Sequence, residues 1–110
     1  MTTLNILGYE YDVIREKTVE ELGFCGQIDS NGQLIHIATD MTIQQLVSTI
    51  LHEILEALNY HMCLGLDHDT VSRLETGLYQ TLTSNGVNID LLASGLISIR
   101  ARLRLEDPEA

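Results

Sequence analysis

The twenty residues from Ile43 to Met62 constrain the fold most. Ile43, Leu46, Val47, Ile50, Leu51, Ile54, Leu55, Leu58 and Met62 recur at spacings of three and four, which is the period of a helix. The apolar stripe they form is wide, so the helix needs cover on more than one side. Set into it are His52, Glu53 and Glu56. His52 and Glu56 are four apart and share one helix face. The plain reading is a half-buried polar strip. The sharper one is a pair of side chains able to hold one metal ion, with a carboxylate beside them.

The neighbouring segments supply partners for that helix. Thr42 is placed to cap it, and it should run to about Cys63 before Gly65 breaks it. Asp67 can cap a second helix with Val71, Leu74, Leu78 and Leu82 at helical spacing, and Asn85-Gly86 stops it. So short a connection makes the two helices antiparallel neighbours. Upstream, Leu4 to Ile14 is rich in strand formers and reads as a first strand. Glu16 to Leu22 reads as a helical turn or loop ending at Gly23. Cys25 to Asp29 and Leu34 to Ala38 flank Ser30-Asn31-Gly32, a hairpin signal, and the largely apolar second strand suits the inside of a sheet. From Leu96 to Leu105 apolar residues alternate with Ser98, Arg100, Arg102 and Arg104, as in a strand, although Leu91 to Arg104 also fits a helix. The expected fold is therefore α+β, a small antiparallel β-sheet packed on an antiparallel helix pair, in a single domain over residues 1–110.

Composition narrows the function classes. With 110 residues, 45% of them apolar, and one proline, the chain should fold as one globular unit. No run approaches the ~18 apolar residues of a membrane span. Met1-Thr2-Thr3-Leu4-Asn5 lacks the basic and apolar regions of a signal peptide, so a cytoplasmic location is expected. A net charge of −10 argues against direct nucleic-acid binding and favours basic partners or cations. Cys25 and Cys63, far apart in a cytosolic chain, read as buried thiols rather than a disulfide or metal ligands.

Several stretches together resemble the small zincin-like metallopeptidases of phages and Gram-positive bacteria, distant relatives of the ImmA/IrrE and SprT-like groups. They are Gly26-Gln27-Ile28-Asp29, Ile35-x-Ile37, Thr49-Ile50-Leu51-His52-Glu53-Ile54-Leu55-Glu56-Ala57-Leu58 and Leu74-Glu75-x-Gly77-Leu78-Tyr79-Gln80. The resemblance covers about residues 4–85 and leaves 86–110 as an extension. In such families H-E-x-x-H on the first helix and an acidic residue on the next bind zinc, and the glutamate after the first histidine is the general base. Carried over, His52 is the first ligand, Glu53 the base, and Glu56 takes the second histidine's place in an H-E-x-x-E variant. His68 stands where the third ligand is expected, so histidine and acid have traded places and a two-histidine, one-carboxylate set survives. Glu75 competes with His68. A set of His52, Glu56 and Glu75 would suit manganese or iron better than zinc, and the absence of an intact site is the third alternative. His61, nine residues from His52, falls on the opposite face, and His36 reads as a strand residue.

The resemblance implies a cytoplasmic hydrolase of peptidase type with Zn2+, or another divalent metal, as cofactor. Its substrate is a peptide or protein, held by strand addition to an edge of the Leu34 to Ala38 strand. Glu53 would take a proton from water made acidic by the cation. The extra negative charge of Glu56 would weaken that acidification and slow turnover or move it to higher pH. Asn59 is a candidate partner for the ligands or a capping residue, and Tyr60 and Tyr79 read as core more readily than as site phenols. The alternative function is a catalytically inactive metallopeptidase-fold binding protein, a phage protein acting on a host protein. A third is a metal-free assembly protein. The arginine row near the C-terminus would fit a homodimer formed through the last strand.

Overall fold

The computed structural model describes residues 2–17 and 25–89. Four strands form one sheet: β1 (Thr2–Ile6), β2 (Tyr9–Arg15), β3 (Gly26–Asp29) and β4 (Leu34–Ile37). Two helices follow, α1 (Ile43–His61) and α2 (His68–Ser84). The strand order is β1-β2-β4-β3. The fold is α+β, with α1 lying between the sheet and α2. The sheet is mixed, not antiparallel throughout. β1–β2 and β3–β4 are antiparallel, but β2 and β4 run parallel, from Asp12 opposite Leu34 to Arg15 opposite Ile37.

The expected first strand, Leu4 to Ile14, is two strands. The chain reverses at Leu7-Gly8, where both residues have positive φ, 54° and 85°. That is the two-residue hairpin turn whose twist matches the strands it joins, and Asn5 Oδ1 accepts a hydrogen bond from Gly8 N at 2.8 Å. Leucine is an unusual occupant of such a position. At the second hairpin the left-handed residue is Gln33 (φ 55°), while Gly32 N donates to Asp29 Oδ1 at 3.0 Å.

Leu4, Ile6, Tyr11, Val13, Ile35 and Ile37 turn one sheet face onto Leu46, Val47, Ile50, Leu51 and Ala57 of α1. Ile54, Leu55 and Leu58 are half-buried against the same core, so α1 is covered on two sides. Thr42 caps α1 in a reciprocal pair with Gln45: Thr42 Oγ1 accepts from Gln45 N, and Gln45 Oε1 accepts from Thr42 N. Asp67 caps α2, its carboxylate accepting from Thr70 N at 2.8 Å. Hydrogen bonding from the Thr70 side chain, and then from its backbone, holds the Asp67 carboxyl below the usual aspartate range.

α2 is rotated from the orientation its leucines suggest. Val71 is buried and Tyr79 and Leu82 pack against the core, whereas Leu74 and Leu78 are exposed. The residue that turns inward between Val71 and Tyr79 is Glu75, half-buried against α1. Neither cysteine is buried: Cys25 sits at the bend before β3, and Cys63 occupies a left-handed turn after α1, both on the surface. No helix among the described residues is long and apolar enough to cross a membrane. The segment at Leu96 to Leu105, with its arginine row, and most of Glu16 to Leu22 lie outside the described residues.

Candidate metal centre

The helix-to-helix loop brings the candidate ligands together. Asn59 of α1 clamps Leu66 at both ends: its Nδ2 donates to Leu66 O at 3.0 Å and its Oδ1 accepts from Leu66 N at 2.9 Å. Asn59 thus orders the loop. Two residues beyond Leu66, α2 starts at His68, opposite Glu56.

His52, Glu56 and His68 each offer one ligand atom, and these atoms lie within 4.8 Å of one another. Glu56 Oε1 is the hub, 3.6 Å from His52 Nε2 and 3.9 Å from His68 Nδ1. Donors around one tetrahedral zinc stand about 3.3 Å apart, given metal–nitrogen bonds of about 2.0–2.1 Å. The His68 side chain is 80% exposed, whereas that of His52 is only 16% exposed, and the two rings pack edge to face. The donor set is one that could hold a divalent cation.

Glu75 does not belong to that set. Its Oε1 is 3.2 Å from His52 Nδ1, on the far edge of the ring from Glu56, and its Oε2 accepts from Ser48 Oγ at 2.5 Å. Ser48 escaped the sequence reading, though its position four residues before His52 places it on the same face.

Glu53 is 4% exposed. Among the described residues no hydrogen bond to its carboxyl is formed. Burial, reinforced by the charges of Glu56 and Glu75, lifts its pKa from an ordinary 4.5 to about 7. The cover comes from β3. A methyl group on Gly26 would stand 2.6 Å from Thr49 Cγ2 and 3.2 Å from Glu53 Oε1, so only glycine lets the strand lie this close to α1. Sequence pattern could have flagged Gly26 as a strand glycine, but not what it approaches.

Glu53 shares an open cleft of about 530 Å³ with His52, Glu56, His68 and the residues of β3. A second hollow of about 420 Å³, reaching Asn31 and Tyr60, continues from Ile28, Asp29 and Glu56. The strand along this cleft is β3, not β4. β4 is paired on both sides and has no edge to offer. Because Ala38 N donates to Cys25 O, the alternation of an antiparallel pair turns the backbone groups of Gly26 and Ile28 away from β4.

The remaining candidates stand outside the three-residue cluster, although His36 also lines the cleft. His61 is stacked on Tyr9 at 3.9 Å and shares a 2.6 Å hydrogen bond with the Tyr11 hydroxyl, away from the cluster. His36 Nδ1 lies 2.7 Å from Glu16 Oε1, close enough for an ion pair but out of line for a hydrogen bond. Tyr60 is exposed at the cleft's end, packed edge-on to His61, whereas Tyr79 is half-buried against the core. The chain matches no protein-family model, and neither a curated protein nor a solved structure is similar to it at a significant level.

Proposed function

We propose that this chain is a metal-dependent hydrolase of peptidase type, with His52, Glu56 and His68 holding a divalent cation, zinc first among them, and Glu53 as general base. One observation carries the reading. A buried carboxyl with a pKa near 7, with no hydrogen bond among the described residues, opens into the same cleft as three clustered side chains able to ligate a metal. Such a group is costly for stability and suited to proton transfer at neutral pH.

A bound cation supplies Lewis acidity toward water and a substrate carbonyl. Glu53 then takes the proton from the attacking water and delivers it to the leaving amine. Gly26 and Ile28 present a backbone edge, unpaired among the described residues, on which an extended peptide can lie across the cleft. This is the activity that the resemblance to small zincin-like metallopeptidases of phages implies, with a glutamate in place of the second histidine.

A second reading, a metallopeptidase-fold protein that binds a host protein without turnover, is favoured by a different surface. Tyr9 and Tyr60 are exposed and pack their rings against His61, and apolar groups gathered on a surface mark docking sites.

The test is metal content by mass spectrometry of untagged protein purified without chelator, followed by cleavage of a peptide library. Near-equimolar metal lost in His52→Ala and His68→Ala, with cleavage lost in Glu53→Gln, supports the hydrolase. Metal without cleavage by any variant moves the second reading ahead. Wild-type protein that takes up no metal even on reconstitution refutes the centre.

A further inference from the structure

Glu75 stands where the apolar pattern of α2 has no place for a charge. It faces α1 between Val71 and Tyr79, half-buried. A carboxylate there is unfavourable unless its oxygens are satisfied. Both are, and by residues of one helix. Ser48 Oγ donates to Oε2 at 2.5 Å, and His52 Nδ1 lies 3.2 Å from Oε1. Ser48 and His52 are four residues apart, so α1 offers two groups in line to one side chain of α2.

The chemistry of this contact is one-directional. An ionised carboxylate only accepts hydrogen bonds. The hydrogen shared with Oε1 must therefore sit on His52 Nδ1. In a neutral imidazole that leaves Nε2 with its lone pair, and Nε2 is the nitrogen that faces Glu56. The ring is thus held at one edge and presented at the other. Glu75 cannot serve as a ligand from this position, because both oxygens are engaged on the Nδ1 side.

We propose that Glu75, anchored by Ser48, is the positioning residue of the metal centre: it fixes the tautomer and plane of His52 so that Nε2 is aimed at the Glu56–His68 cluster before any metal arrives. The metal half of this inference rests on the reading under Proposed function. The tautomer half does not.

The test uses the full chain with 15N-labelled histidine. Long-range 1H–15N spectra of metal-free protein at pH 8 report which nitrogen of His52 carries the proton. Wild type should show Nδ1–H alone. Glu75→Gln, whose carbonyl can still accept, should keep it, and Glu75→Leu should shift His52 toward Nε2–H. Zinc affinity is then measured against a competing chelator. Loss of a partner that orients a ligand weakens binding about 10- to 100-fold. Glu75→Leu should fall in that range, with Ser48→Ala weakened in the same direction by less and Glu75→Gln least affected. If Glu75→Leu does not fold, Ser48→Ala and Glu75→Gln carry the comparison. An Nε2–H tautomer in wild type overturns the inference. So does affinity unchanged in Glu75→Leu, or a loss in it as complete as that in His52→Ala, which would make Glu75 a ligand. Affinity unchanged in His52→Ala overturns the centre itself, a failure distinguished from the others by a wild-type Nδ1–H signal that responds to Glu75→Leu.

Discussion

Replacing Glu53 by glutamine should make the metal-free protein more stable, and by an amount that depends on pH. In the unfolded chain Glu53 loses its proton near 4.5, whereas in the folded chain it does so near 7. Below 4.5 both states hold the proton and Glu53 costs nothing extra. Between the two values the unfolded chain is ionised and the folded one is not, so each pH unit lowers folding stability by about 1.4 kcal/mol. Above 7 the loss levels off at about 3 kcal/mol. Glutamine has the same shape and no charge to shed, so Glu53→Gln should escape the decline. Urea denaturation from pH 4.5 to 8.5, with chelator present, measures both chains. Wild type and variant should have similar midpoints at the acid end. At the alkaline end the variant's midpoint should be higher by roughly 1–3 M, from a urea dependence of about 1–3 kcal/mol per molar. Two stability curves that stay parallel across the range would refute the reasoning, because they would show that ionised Glu53 is no worse off folded than unfolded.

Three further outcomes are expected. Gly26→Ala should cost about 1–3 kcal/mol as the new methyl pushes β3 off Thr49 and Glu53, and should flatten the pH dependence just described by opening Glu53 to water; denaturation of the same series reads both. Leu7→Asn should stabilise the fold by about 1 kcal/mol, since Leu7 is exposed and Asn-Gly suits a turn with two positive φ angles; a lower melting temperature would contradict the turn. Under the proposed function, Glu56→His removes one negative charge from the cluster, so hydrolysis should set in at lower pH than in wild type; superimposable pH profiles would show that the Glu56 charge does not reach the reaction.

Both helices and the β3–β4 hairpin were legible in the sequence because their signals are local. Thr42, Gly65, Asp67 and Asn85-Gly86 sit at the ends of periodic stretches, and each ends or caps what it was expected to. The turn at Leu7-Gly8 was not legible, since leucine carries no turn signal and strand formers continue on both sides. Nor was the parallel pairing of β2 with β4, which depends on partners more than twenty residues apart. The rotation of α2 was hidden for a related reason. Leu74 and Leu78 look like core until Ser48 and His52 are known to be waiting for Glu75. At the site, spacing alone joined His52 to Glu56. Separating the position of His68 from that of Glu75 required the relative placement of two helices, which no spacing within one of them encodes.

The division of labour between hairpin and sheet has a consequence for how this protein can change. All the side chains proposed to hold or orient an ion, from Ser48 to Glu75, lie on one continuous stretch of chain. The sheet contributes a different thing, the glycine strand that shuts Glu53 away from water. The two contributions are therefore inherited through different residues. Under the proposed function, a descendant could lose the glycine, keep the ligand cluster and become a carrier or scaffold, or keep the strand and exchange one ligand for another. On that reading the boundary between a catalyst and a binding protein runs through Gly26.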